Sequence, residues 1–159
     1  MKIRKAVLRD AGVIAGFNVN LARETEGVEL DRETVRNGVE TLLKDPAKGV
    51  YFVAETDRKS ATGEIAGQLC LTREWSDWRN GDFWWIQSVY VKKEWRGRGI
   101  FTALFEHVQQ LARRQPEVCG LRLYMEQGNE RARRVYQKLG MKQTHYQVFE
   151  KLTRGAGVE

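Results

Sequence analysis

The sequence predicts an α/β fold, a mixed central β-sheet flanked by helices on both faces, in the order β-α-α-β-β-β-α-β-α-β. Three observations carry this. Four segments place apolar residues at helical spacing, whereas shorter β-branched or alternating runs lie between them. The first half is rich in hairpins and the second reads β-α-β-α-β, a combination that gives mixed rather than purely parallel sheets. Glycine and proline punctuate the joins, at Gly27, Asp45-Pro46, Gly97, Gly99, Gln115-Pro116 and Gly140.

In order, residues 2–7 predict a first strand. Asp10 is the expected N-cap of a helix running to about Arg23, with Val13, Ile14, Phe17 and Leu21 as its apolar stripe. Asp31 caps a second helix with Val35, Val39, Leu42 and Leu43 on one face, ended by Asp45-Pro46. Residues 50–55 and 64–72 predict two strands joined by a polar loop over 56–63. A tryptophan-rich loop over 74–85 then holds Trp75, Trp78, Trp84 and Trp85, four of the five tryptophans. A strand over 84–91 leads through a glycine turn into a helix to about Arg114. Residues 118–126 predict a strand, 129–139 a helix closed by Gly140, and 141–151 a final strand. One domain over residues 1–152 with a frayed tail over 153–159 is the expected organisation.

With 159 residues, 42% hydrophobic and 30% charged, the composition is that of an ordinary globular protein. The first residues lack the apolar run of a signal peptide and no segment is long enough to span a bilayer, so a cytoplasmic protein is expected, without a membrane partner. Cys70 and Cys119 both lie in strand-like apolar runs, which predicts buried free thiols rather than a disulfide, and no metal site is indicated. The net charge of +6 is unevenly placed. Residues 92–138 hold 11 Lys and Arg against 5 Asp and Glu, whereas residues 20–91 hold 9 against 13. A local anion site facing an acidic region fits this split better than a broad nucleic-acid-binding face does.

The basic excess surrounds Arg96-Gly97-Arg98-Gly99-Ile100-Phe101-Thr102. Here a strand ends, two glycines turn the chain, and Phe101, Leu104, Phe105, Val108 and Leu111 open a helix. Amides at a helix N-terminus point outward and its dipole favours negative charge, so this stretch is a candidate phosphate cradle. The P-loop order GxxxxGK[ST] and the dinucleotide fingerprint G-x-G-x-x-G are both absent.

Arg96-Gly97-Arg98-Gly99-Ile100-Phe101 resembles the R-x-x-G-x-G/A pyrophosphate loop of the GNAT superfamily of acyl-CoA-dependent N-acetyltransferases. Residues 129–141, from Asn129 through Ala132, Tyr136 and Lys138 to Gly140-Met141, resemble its N-x-x-A-x-x-x-Y-x-K-x-G-[FM] segment. The order of elements matches over roughly residues 2–151. Phe101 departs from the pattern, standing where Gly or Ala is usual. Backbone donation needs no particular side chain, and the ring can point into the core beside Leu104 and Phe105.

The resemblance implies transfer of an acetyl group from acetyl-CoA to a primary amine by direct attack. The amides from Gly97 to Thr102, with Arg96 and Arg98, would hold the CoA pyrophosphate, so Ile100 and Phe101 contribute through their backbone. Backbone groups of Val89 and Val91 would pair with the pantetheine arm as an added strand. Asn129 would hydrogen-bond the cofactor, and Tyr136 would donate a proton to the departing thiolate. Asn129 is also a good N-cap and Tyr136 a plausible core residue. The acceptor would be a small-molecule amine or a peptide or protein amine, and a homodimer is common in the family. A CoA-binding but catalytically silent regulatory domain is the alternative.

A base must leave the attacking amine neutral. On the strand ahead of the turn, alternate positions from Val91 give Val89, Gln87 and Trp85, none of them a base; a bulge would present Ser88 and Tyr90 instead. The carboxylates Glu24, Glu26, Glu74, Asp77, Asp82 and Glu126 remain. Glu24 and Glu26, after the first helix, are the candidates to bind the amine or deprotonate it through water.

Overall fold

The computed structural model describes residues 1–56 and 63–154. Most of the predicted polar loop at 56–63 and of the tail at 153–159 lies outside the described residues. The chain forms two compact units, Met1–Leu123 and Tyr124–Glu159.

The first unit is built on one five-stranded sheet in the spatial order of the sequence. Its strands are β1 (Lys2–Lys5), β2 (Val50–Thr56), β3 (Glu64–Ser76), β4 (Gly81–Val91) and β5 (Val118–Leu123). The first three pairings are antiparallel and β4 with β5 is parallel, joined through helix α3 (Ile100–Arg113). Helices α1 (Ala11–Glu26) and α2 (Arg32–Lys44) cover one face. Their core joins Ile14, Phe17 and Val39 to Tyr51, Val53, Cys70 and Tyr90 from the sheet. On the opposite face Phe52, one residue out of phase with Tyr51 and Val53, meets His107 of α3, ring centroids 5.2 Å apart. The α3 side chains Leu104, Phe105 and Val108 are buried, as the spacing predicted.

Local signals explain most element ends. The carboxylate of Asp31 accepts the Thr34 amide at 2.8 Å, capping α2, and Gly27 ends α1 in the left-handed conformation, φ 67°. Three expectations are corrected. Asp10 immediately precedes α1 without capping it through its side chain. Its carboxylate instead accepts the Val7 amide at 2.8 Å and Arg4 at 2.7 Å, because folding brings Arg4 over it. Residues 74–76 and 81–83 are not loop: β3 and β4 continue as a paired hairpin around a tip at 77–80. Cys119 is exposed, its thiol donating to the Asp82 carbonyl at 3.3 Å, whereas Cys70 is buried; both are free thiols.

In the second unit the regular element is α4 (Glu130–Lys138), capped by Asn129, whose Oδ1 accepts the Ala132 amide at 3.0 Å. Gly140 follows it in the left-handed conformation, φ 82°. The predicted strand over 141–151 does not form. Alternation alone cannot make a ladder, and this unit holds no other strand among the described residues; Tyr146, Val148 and Phe149 are exposed.

Candidate active site

Strand β4 is where the geometry begins. Its ladder with β3 runs regularly to Gln87 opposite Cys70, then slips so that Tyr90 faces Gln68. Ser88 absorbs the extra residue with φ 49°, a β-bulge at a non-glycine position. The slip changes parity: Gln87 lies opposite Cys70 on the α1 side of the sheet, and three residues later, rather than two or four, Tyr90 is on that same side, its ring 5.0 Å from Phe17. Pairing with β5 stops at Ile86, so β4 beyond that point has β3 alone as its ladder partner in the first unit.

After β4, the short turn Lys93–Trp95 leads to Gly97 and Gly99, with φ of 74° and 76°. Two left-handed residues two apart need glycine and turn the chain straight into α3. A β-carbon at either would meet nothing within 4 Å, so the outer side of the turn is open. The first bond of the α3 ladder is Ala103 N–H to Gly99 O at 3.0 Å, which leaves the Ile100 and Thr102 amides ahead of it at the positive end of the helix dipole. The Arg98 guanidinium lies 4.9 Å from the Trp95 ring centre. Phe101 packs on Phe105, centroids 6.1 Å apart, the inward direction expected for a ring in this place.

Arg96 is tied inward. Its Nη2 donates to Glu24 Oε2 at 2.6 Å and its Nε to the Val91 carbonyl at 2.9 Å. The other oxygen of Glu24 accepts the Tyr90 hydroxyl at 2.9 Å, and Lys93 lies at 3.8 Å. The C-terminal turn of α1 is thereby fastened to the glycine turn across 72 residues of sequence. Partial burial alone would raise the Glu24 carboxyl, but hydrogen bonds from Arg96 and Tyr90 and the charges of Arg96 and Lys93 outweigh it and hold it below its ordinary value. Burial, together with the bond to Glu24, pushes the Tyr90 phenol up.

Glu26, two residues on, points elsewhere. It lines a cavity of about 400 Å³ between α1, α2 and the sheet. Leu21, Ala22, Leu30, Val35 and Val39 make its apolar walls, and Asn18, Thr25, Tyr51 and Ser88 supply neutral polar groups. Asn18 Nδ2 donates to the Tyr51 hydroxyl at 3.0 Å and its Oδ1 accepts from Gln68 Nε2 at 2.7 Å, and the same Gln68 nitrogen donates to the Ser88 carbonyl at 3.1 Å. Burial pushes the Tyr51 phenol up, so it stays protonated. Asn18, Tyr51 and Gln68 were missed from sequence, although Gln68 inside an apolar strand and Asn18 beside the α1 stripe were visible signals. No tryptophan lines the cavity. Trp84 is buried, Trp75 and Trp78 are exposed, and Trp85 Nε1 donates to Glu74 at 2.8 Å, whose other oxygen takes Arg122 at 2.6 Å.

The remaining predicted groups lie in the second unit. Tyr136 is on α4, seven residues after Asn129, and burial pushes its phenol up. Cys70 is unsuited to a covalent role: burial pushes its thiol up to about 12, far from a neutral-pH thiolate.

A bulged strand ends in a left-handed glycine turn and a helix, beside a pocket between two helices and the sheet, the arrangement that the resemblance to acyl-CoA-dependent transferases implies. Residues 17–141 match the family model described as the acetyltransferase (GNAT) family, and the chain belongs to that family. It is an acyltransferase. Among solved structures, "a possible acetyltransferase" of Clostridium difficile 630 is 42% identical, with a TM-score of 0.86 over 96% of this chain and 97% of that one. A ribosomal-protein-alanine N-acetyltransferase of Brucella melitensis biovar Abortus 2308 is 20% identical, with a TM-score of 0.74 over 96% and 99%. A "predicted acetyltransferase with acetyl-CoA" of Clostridium acetobutylicum is 18% identical, with a TM-score of 0.74 over 94% and 95%. The comparison with curated proteins returned no match.

Proposed function

We infer that this acetyltransferase moves an acetyl group from acetyl-CoA to a primary amine by direct attack within a ternary complex. The observation that carries the reading is the open left-handed turn at Gly97 and Gly99, which presents helix-end amides after a bulged strand. In this reading the turn, with Arg98, holds the pyrophosphate, and the amide edge of Val89 and Val91 receives the pantetheine arm. Because the Val91 carbonyl already accepts Arg96, that residue contributes its N–H. Arg96, fixed by Glu24, shapes the turn. Asn129 adds a cofactor hydrogen bond alongside its capping role.

The neutral amine forms its bond to the thioester carbonyl carbon, the C–S bond breaks, and the thiolate takes the Tyr136 phenolic proton. A phenol raised by burial is protonated at neutral pH and so carries a proton to give to the departing thiolate. The attacking nitrogen gives up one proton to water, and the Tyr136 phenolate regains its proton from solvent. Glu26 faces the cavity and is suited to receive the ammonium, whereas the proton affinity of Glu24 is lowered and its oxygens are both engaged. The absence of a nucleophilic role for Cys70 favours direct attack over an acyl-enzyme.

The test is initial-velocity kinetics of thiol release with both substrates varied. Intersecting lines, no thiol burst without amine, and a loss of about 100-fold in kcat for Tyr136→Phe at unchanged acetyl-CoA KM are expected. Parallel lines with a burst would overturn direct attack.

A further inference from the structure

We propose that the acceptor is a small amphiphilic monoamine, one ammonium joined to an aliphatic or aromatic body, held in the cavity between α1 and α2. This rests on the acetyl-transfer reading and names the substrate class for it. The volume, about 400 Å³, falls at the lower end of small-molecule sites, roughly 300–1,000 Å³. Four aliphatic side chains, Leu21, Leu30, Val35 and Val39, give its walls the character of an alkyl or aryl pocket. Each methylene buried there raises kcat/KM about fourfold.

The charge inventory limits the ligand further. Among the described residues Glu26 is the one acidic or basic side chain in the lining, which matches one ammonium. The other carboxylate at this end of α1, Glu24, is turned onto Arg96 and Tyr90 and offers nothing to a second cation. The polar floor is neutral, and Asn18, Tyr51 and Gln68 bond to one another. A diamine or an aminosugar would leave further ammonium groups against apolar walls with no counter-charge.

Gly38 supplies a handle on the cavity. It lines the cavity from α2, and a β-carbon there meets nothing within 4 Å. Gly38→Leu therefore fills the space while improving helix propensity, and Gly38→Ala is a milder control. The panel is phenethylamine and 3-methylbutylamine against 2-aminoethanol, putrescine and kanamycin, with a leucine-initiated dipeptide as a separate arm. The two apolar monoamines exceed 2-aminoethanol and putrescine by about tenfold or more in kcat/KM. Gly38→Leu removes about tenfold for phenethylamine and less for 2-aminoethanol, which has no apolar body to displace, and Glu26→Gln raises the amine KM about tenfold. A dipeptide equal to 3-methylbutylamine supports the class with peptide N-termini as its source; a poor dipeptide supports it with free amines.

Preference for putrescine or kanamycin, or indifference of phenethylamine to Gly38→Leu, overturns the inference while acetyl transfer stands. Calorimetric titration of phenethylamine in the presence of CoA separates the other case. Binding that Gly38→Leu abolishes, without turnover of any amine, keeps the pocket assignment and removes the acetyl-transfer reading. No binding and no turnover of phenethylamine overturns the inference.

Discussion

Replacing Glu24 by glutamine tests whether the carboxylate serves the glycine turn or the proton. The amide oxygen can still accept the Tyr90 hydroxyl, so the change falls on the 2.6 Å pair with Arg96 and the longer attraction to Lys93 at 3.8 Å. The Glu24 and Arg96 side chains are 24% and 35% exposed, between the surface case of about 0.2–1 kcal/mol and the charged hydrogen bond of about 1.5–3 kcal/mol. A loss of about 1 kcal/mol is the reasonable middle. It would lower Tm by about 2–4 °C for a chain of this size. If the pair preorganises the turn, the same free energy appears as about a fivefold rise in the acetyl-CoA KM. The assay is steady-state thiol release from pH 5 to 9, with either substrate varied. The acidic limb of the kcat profile should keep its position, because a carboxyl held below its ordinary value is already ionised throughout this range. A collapse of kcat with a displaced limb, at unchanged acetyl-CoA KM and unchanged Tm, would refute the clamp and make Glu24 the base.

Asp10→Asn should be among the most destabilising changes at a charged position, about 3 kcal/mol, because the nearly buried carboxylate takes both Arg4 nitrogens and the Val7 amide. Burial raises that carboxyl but the Arg4 and Val7 hydrogen bonds prevail and lower it, so its stabilisation is present above about pH 4 and fades as pH falls through the lowered value. Denaturant melts should show the gap between wild type and variant closing in acid. Gly99→Ala meets no neighbour but places a β-carbon at φ 76°, a cost of about 1 kcal/mol. Weaker acetyl-CoA binding with a nearly unchanged Tm would show the turn relaxing, and titration calorimetry measures it. Gly120→Ala puts a β-carbon 2.7 Å from the Phe83 ring and should cost about 1–3 kcal/mol, partly recovered by adding Phe83→Leu; thermal melts decide.

The helices were legible because local chemistry and tertiary demand agree in them. Asp31, Gly27, Asn129 and Gly140 all act as their residue types suggest, and the stripe of α3 is buried where its spacing places it. Local reading failed where a distant residue intervened. Asp10 has the look of a helix cap, but Arg4 claims its carboxylate. The end of β3 looks like a loop because Arg73, Glu74 and Ser76 are polar; the ladder of residues 73–76 with residues 81–84 of β4 makes it strand. For residues 141–151 the alternation was real and the partner was missing within the unit. In the site, the glycine turn announced itself through Gly97 and Gly99. The Glu24–Arg96 bond left no local mark, because 72 residues separate its members. Ser88 carries no side-chain sign of its conformation, and its bulge was foreseeable only as an option of parity.

That bulge makes β4 two strands spliced out of phase. Upstream of Ser88 the side toward α1 belongs to odd-numbered positions such as Trp85 and Gln87; downstream it belongs to the even-numbered Tyr90. Removing Ser88 would place Gln87 and Tyr90 two apart, opposite Cys70 and Gln68, so the ladder would close with both still toward α1. The extra residue is therefore not needed for the register on either side and acts locally, bending and twisting the strand ahead of the glycine turn. Ser88 can change to another small residue that tolerates positive φ, whereas deleting it would straighten β4 while leaving the faces of its two segments as they are.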